Sequence, residues 1–346
     1  MIASIYSPYL DTLGGGERYL MGVARVLLDL GYRVDLEWKD KDILPKLESR
    51  FGVDLSGVNI VDSIKRGRGY DFCFWLSDGS VPFLFAGRNF IHFQVPFKGV
   101  GGGSLMNRIK FLRINKVVVN SFFTKKFIDK EYKVNSVVLY PPVDVEAFKP
   151  SLKNKEKVIL SVGRFSQLKQ AKNQHILVEV FSRMYKQGFS DWKLILAGGS
   201  EVGGKDYVRK LHLLSRNLPV EIVENPDFGE IKSLFEKASI FWSASGFGTD
   251  ENKHPEKVEH FGITVVEAMA SGTVPVVFNG GGHKEIVNHG KDGYLWNTEE
   301  ELISFTKEVV ASRDFRKLSL ASIKKSASFS YGVFSGKITE LIYEKG

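Results

Sequence analysis

Two carboxylates beside one apolar helix and two cations at one strand–helix turn are the residues of this chain best placed for chemistry. Glu267 lies inside the run Val265-Val266-Glu267-Ala268-Met269, and Glu259 precedes the predicted helix Ile263–Ala270, which Gly262 and Thr264 introduce. A carboxylate buried without partners is costly. A glutamate in such a run therefore either faces solvent or meets donors, and sugar and ribose hydroxyls are donors of the right kind. Gly163-Arg164 ends a predicted strand, and Lys172 opens a predicted helix eight residues after Arg164. Two cations at such a mouth suit a diphosphate leaving group; the plainer reading is two solvated surface charges. Gly14-Gly15-Gly16-Glu17 falls between the first predicted strand and the first helix. Glycines there let backbone amides approach a phosphate at a helix N-terminus, or simply form a tight turn.

These residues need strands and helices to hold them, and the chain alternates between the two. Ile2–Tyr6 reads as a strand. Glu17–Leu30 reads as a helix with Tyr19, Leu20, Val23, Val26, Leu27 and Leu30 on one face. Further strands are predicted at 33–38, 72–76, 89–93, 116–119 and 136–139. After the proline-bearing segment Tyr140–Pro150 the pattern restarts, with strands at 158–162, 193–197, 220–223, 240–242 and 274–278. Such alternation predicts an α/β fold with parallel sheets covered by helices, in two domains joined near residue 150. In open parallel sheets ligands bind beyond the carboxyl ends of strands, which is where the motifs fall.

The chain has 346 residues with a formal charge of +8, 43% hydrophobic and 25% charged residues, an ordinary globular balance. The positive charge favours anionic partners. It is concentrated: from Gly79 to Ile128 there is no Asp or Glu, while Arg88, Lys98, Arg108, Lys110, Arg113, Lys116, Lys125 and Lys126 lie there. Within that window Leu105, Met106, Ile109 and Leu112 recur at helical spacing. From Leu105 to Lys116 this makes a basic amphipathic segment, which either lies on an anionic membrane surface or packs inward. Cys73 is the only cysteine, which excludes an internal disulfide and a cysteine-built zinc cluster. No secretion signal or membrane span is read, so a cytoplasmic location is expected, peripheral on the membrane if the basic segment binds lipid.

The glutamate pair separated by seven residues, Glu259 and Glu267, is similar to the hallmark of glycosyltransferase family 4. Other pieces resemble that family in order: Gly14-Gly15-Gly16-Glu17-Arg18, Val119-Asn120-Ser121, Tyr140-Pro141-Pro142-Val143-Asp144, Ser161-Val162-Gly163-Arg164-Phe165, Leu196-Ala197-Gly198-Gly199 and Pro275-Val276-Val277. The resemblance covers nearly the whole chain. It implies the GT-B fold: two Rossmann-like domains with parallel sheets facing a central cleft, an acceptor-side domain at 1–148, a nucleotide-sugar domain at 149–325, and a C-terminal helical segment at 326–346 packing back on the first.

The resemblance also implies roles. Arg164 and Lys172 hold the donor diphosphate, Glu267 the ribose, and Glu259 the transferred sugar. The backbone around Gly163, Phe261, Gly262, Ile263 and Thr264, with Gly14, Gly15 and Gly16, completes a phosphate cradle. His92 resembles the family's histidine near the sugar; a core histidine is the other reading. The family spacing from arginine to lysine is usually shorter, which makes Lys169 the alternative to Lys172. The segment Gly246–Val258 is longer than in a minimal member. The implied activity is retaining transfer of a hexose from a nucleotide diphosphate sugar to a glycan or lipid-linked acceptor, with no cofactor and no metal. Mannosyltransferase-like features favour GDP-mannose, with UDP-sugars next. The rivals are a sugar-nucleotide epimerase of the same architecture and a non-catalytic nucleotide or nucleic-acid binder. The chain shows no aromatic RNA-binding platform, and Gly14–Gly16 lacks the spaced glycines of a dinucleotide site, so nucleic acid and NAD are not expected.

Overall fold

The computed structural model describes residues 1–148, 150, 152–167, 170–200, 204–311 and 315–344. Among them, thirteen strands form two sheets, all of whose strand pairs are parallel. The first contains β1 (Ile2–Tyr6), β2 (Arg33–Glu37), β3 (Val58–Val61), β4 (Phe72–Leu76), β5 (Arg88–Phe93), β6 (Lys116–Val119) and β7 (Val137–Val138), in the order β3-β2-β1-β4-β5-β6-β7. The second contains β8 (Glu156–Val162), β9 (Lys193–Gly198), β10 (Val220–Glu224), β11 (Ala238–Ser243), β12 (Val274–Phe278) and β13 (Tyr294–Trp296), in the order β10-β9-β8-β11-β12-β13. Each sheet reverses its strand order once, between β1 and β4 and between β8 and β11. Such reversals leave a crevice at the strand ends.

Central strands are covered on both faces, so their residues are apolar without alternation. Ala3 and Ile5 of β1 and Ile159 and Leu160 of β8 are fully buried. The helix Gly15–Asp29 buries Tyr19, Leu20, Val23, Val26 and Leu27 on the first sheet. In the second, Trp242 and Trp296 are buried completely, and the Trp242 indole N–H donates to Thr306 Oγ1 at 3.0 Å. Each large side chain so buried contributes roughly 1.5–3 kcal/mol.

The chain divides into two units, Met1–Pro142 with Tyr331–Gly346, and Val143–Ser330. The last helix, Tyr331–Tyr343, completes the first unit: Phe334, Ile338 and Ile342 join its core, and the Tyr331 hydroxyl donates to Asp29 at 2.8 Å. Residues 143–148, assigned above to the first domain, fold with the second unit. Val143 bridges to Ser330, and the Phe148 ring meets Phe228 and Phe235 edge-on. None of the described helices is long and apolar enough to cross a membrane.

Candidate active site

In the second unit the strand that ends at Val162 turns at Gly163, and the chain re-enters a helix at Gln174–Lys186. Two side chains fix this turn. Asn173 donates to the carbonyls of Ala244 and Phe247 at 3.1 and 3.3 Å, tying it to the segment after β11. Gln174 donates to the carbonyls of Gly163 and Arg164, both at 3.1 Å. The stem of Lys172 then lies across Gly163, where a Cβ would stand 2.9 Å from Lys172 Cγ. Glycine at 163 is what lets the lysine cross.

Lys172 Nζ reaches Glu259 Oε2 at 2.6 Å, with the two side chains 18% and 14% exposed. Burial alone would raise the Glu259 carboxyl. The Lys172 ammonium, together with His283 and His260 beside it, outweighs burial and holds the group at about 2. The two residues assigned to different parts of a ligand are thus each other's partner in this structure. Gly262 follows with φ 117°, a left-handed backbone that favours glycine, and caps the helix Ile263–Ala270. Glu267 lies within that helix and is only 3% exposed, so the solvent-facing reading of this residue does not hold. Phe261 is buried with its ring edge-on to Phe329 at 5.4 Å, which leaves only its backbone for a ligand. Ile263 and Thr264 are half-buried in the first helical turn. Arg164 is exposed and has no ion pair among the described residues. Lys169 lies outside the described residues.

His260 and His283 were not singled out in the sequence, and both are buried close to Glu259. Burial lowers both rings below their ordinary range, His260 to about 4. A neutral His283 that donates from Nδ1 to the Phe278 carbonyl, 2.9 Å away, has Nε2 as an acceptor. That atom is buried with no partner among the described residues, as are His260 Nε2, Gln174 Oε1 and Ser245 Oγ. All four follow the carboxyl ends of β8, β11 and β12, around the reversal in strand order. Buried polar atoms are ordinarily bonded; two others without a partner among the described residues, Arg88 Nε and Trp296 Nε1, lie outside this grouping. The signal for His283 in the sequence is Gly280-Gly281-Gly282 directly before it, at the end of a strand.

The remaining expected residues belong to the first unit. His92 is wholly buried, with its ring stacked on Tyr19 at 4.0 Å. Nδ1 lies 3.2 Å from the Val118 carbonyl and Nε2 lies 2.7 Å from the Gln94 side-chain amide. Burial pushes the ring down to about 4. Both nitrogens are engaged inside the unit, which fits the core-histidine reading. At Gly14-Gly15-Gly16 the helix begins with Gly14 as cap, and the Gly14 N–H donates to Glu17 Oε2 at 2.6 Å. A carboxylate already occupies this amide, and its charge opposes a phosphate there; the turn reading fits Gly14.

The family model described as glycosyl transferases group 1 matches residues 143–317, half of the chain. The chain belongs to this family. The matched stretch contains Arg164, Lys172, Glu259, Glu267 and these four unpartnered polar atoms, whereas Gly14–Gly16 and His92 lie outside it. Among curated relatives, the group 1 chain is 31% identical over 247 residues to the human GDP-Man:Man(3)GlcNAc(2)-PP-Dol alpha-1,2-mannosyltransferase, covering 66% of this chain and 47% of the relative. It is 30% identical over 249 residues to the Dictyostelium discoideum protein of the same name, covering 65% and 46%. The chain spans about half the length of these relatives. Among solved structures it is similar to a glycosyltransferase from Rickettsia africae, at TM-score 0.77 and 19% identity over 100% of this chain and 99% of the other. Anabaena HepE in complex with UDP gives TM-score 0.77 and 18% identity over 100% of both chains. These likenesses show the GT-B fold, with its two Rossmann-like domains.

Proposed function

We propose that the chain is a retaining, metal-independent hexosyltransferase that uses GDP-mannose and acts on a glycan or lipid-linked acceptor. The observation that carries this reading is the grouping at the ends of β8, β11 and β12. The unpartnered polar atoms beside Glu259 suit hydroxyl partners, while Lys172 and Arg164 supply positive charge for a diphosphate. A nucleoside diphosphate sugar offers both halves. The names of the curated relatives favour GDP-mannose among such donors.

In the proposed reaction an acceptor hydroxyl attacks the anomeric carbon from the face on which the diphosphate departs. The bond from that carbon to the phosphate oxygen breaks as the new glycosidic bond forms. The hydroxyl proton passes to the departing phosphate oxygen, and configuration is retained. Charge builds on the leaving diphosphate, where Arg164 and Lys172 stabilise it in the role a divalent ion would otherwise fill. Glu259 serves in binding, since a carboxylate held at about 2 is a poor general acid at neutral pH.

The segment Leu105–Phe111 supports a peripheral position on an anionic cytoplasmic membrane face. It forms a helix none of whose residues is buried. Leu105 is 73% and Leu112 84% exposed, and Met106 and Ile109 are exposed as well, so the inward-packing alternative fails. Arg108, Lys110 and Arg113 flank these residues without an ion pair among the described residues. Lys116 stands apart on β6, paired with Glu344 at 2.6 Å. Apolar groups and unpaired cations on one face match an anionic lipid surface.

The deciding experiment incubates the pure protein with GDP-mannose and, separately, UDP-sugars, with EDTA, in the presence and absence of a lipid-linked glycan. Transfer from GDP-mannose that resists EDTA and gives the α-linked product is expected. Activity abolished by chelation and restored by magnesium would overturn metal independence. An isomerised donor in the absence of acceptor would favour an epimerase.

A further inference from the structure

The first unit contains a cavity of about 1030 Å³ that the reading above leaves unused. It lies at the carboxyl ends of strands in the first sheet, at the reversal between β1 and β4. Tyr6, the last residue of β1, is in register with Trp75 of β4, and their rings stack at 3.7 Å and 15°. Against this aromatic wall stand four cations: Lys65, Arg66 and Arg68 from the turn after β3, and Lys110 from the exposed helix. None has an ion pair among the described residues. Arg68 lies 5.4 Å over the Phe85 ring and Lys110 5.7 Å over the Phe83 ring. Ring faces steady these charges without using up their N–H donors. The one carboxylate in the lining, Glu37, accepts from the Ile64 N–H at 2.8 Å and so holds the turn.

The turn itself is strained. Lys65 and Arg66 have φ of 49° and 55°, two successive left-handed residues with long side chains. Such backbone persists only where its surroundings impose it, and it gathers at ligand sites. The Phe85 N–H donates to the Arg66 carbonyl at 2.9 Å, fixing the turn against the aromatic loop after β4.

We propose that this cavity binds a phosphate or diphosphate ester carried by the acceptor, with Tyr6 and Trp75 against the apolar body next to it. The proposal rests on the transferase reading, which requires a second substrate. Four unpaired cations and one engaged acid select an anion over a neutral glycan, which would call for more acceptors.

The test uses the full chain with GDP at saturation, so that the donor site is filled, and a short-chain, water-soluble prenyl diphosphate titrated by calorimetry. The main variant combines Arg66→Gly with Arg68→Ser. Glycine adopts φ 55° without strain, so the fold is not put at risk. Probe affinity should fall at least tenfold while GDP affinity stays within twofold, and Lys172→Ala should give the opposite pattern. The matching prenyl alcohol should bind at least tenfold more weakly than the diphosphate. Unchanged probe affinity in the double variant, or loss in Lys172→Ala alone, would overturn the proposal. So would equal binding of alcohol and diphosphate. Sedimentation with phosphatidylglycerol vesicles separates the two sources of phosphate. The double variant should still bind them; loss of vesicles with the soluble probe unaffected would make these cations headgroup contacts and overturn the assignment. If GDP fails to bind yet the probe is lost in the double variant, the anion pocket stands and the transferase reading falls.

Discussion

Lys172→Met removes an ammonium and keeps most of the stem that crosses Gly163. It leaves Glu259, 14% exposed, without its 2.6 Å partner. The Glu259 carboxyl sits at about 2 against an ordinary 4.5. At 1.36 kcal/mol per unit, that difference is worth about 3 kcal/mol of stability at neutral pH. The group is depressed, so its contribution is complete above pH 4.5 and is lost as pH falls toward 2. In the variant, burial is no longer outweighed by the lysine, and the carboxyl moves upward instead. For a unit the size of Val143–Ser330, about 3 kcal/mol lowers the melting temperature by roughly 6–12 °C. Calorimetric melting at pH 7 and pH 5 reads this directly. The deficit should be full at pH 7 and smaller at pH 5, where the orphaned carboxyl begins to take up a proton, and Lys172→Met with Glu259→Gln should recover part of it. A drop under about 2 °C, or one equal at both pH values, would show that the pair is solvated and that the argument from burial is wrong.

Three further outcomes are expected. Gly163→Ala places a Cβ 2.9 Å from Lys172 Cγ and should slow transfer on the order of tenfold to a hundredfold, read as kcat/KM; unchanged kinetics would mean that the stem takes another path. Glu259→Ala should weaken binding of the intact sugar donor without weakening the nucleoside diphosphate, whereas Glu267→Ala should weaken both; calorimetric titration of the two ligands that shows equal losses in both variants would contradict the roles. His92 and His260, each held at about 4, bind protons later than the unfolded chain does, so stability should fall between pH 6.5 and 4, by about 3 kcal/mol for each. Denaturant unfolding at stepped pH checks this, and constant stability from pH 7 to 4.5 would refute it.

The central strands of both sheets were readable because burial on both faces leaves an apolar run that little else produces. The edge strands β3 and β13 were not. Val58–Val61 is covered on one side only, with Asn59 exposed, and Tyr294–Trp296 is three residues long. The helix Leu105–Phe111 shows a different limit. Its spacing reveals an apolar face but not what covers that face, and the same pattern would serve a core helix. Lys65 and Arg66 carry no signal in the sequence, because nothing in a sequence announces two long side chains in left-handed backbone.

The site poses the sharpest case. Glu267 in its apolar run was legible as either solvent-facing or bonded, and Glu259, Arg164 and Lys172 were legible as types. That Lys172 and Glu259 hold one another was not, since they lie 87 positions apart and the pairing depends on how the ends of β8 and β11 meet. In the proposed reading this pairing has a chemical consequence. A diphosphate that draws Lys172 toward itself uncovers the Glu259 carboxylate, and a sugar hydroxyl then replaces the lost donor. A nucleoside diphosphate alone leaves that carboxylate orphaned, at a cost on the order of 1–3 kcal/mol. In that reading donor recognition is coupled: the phosphates release the group that reads the sugar, and the sugar satisfies the group the phosphates release.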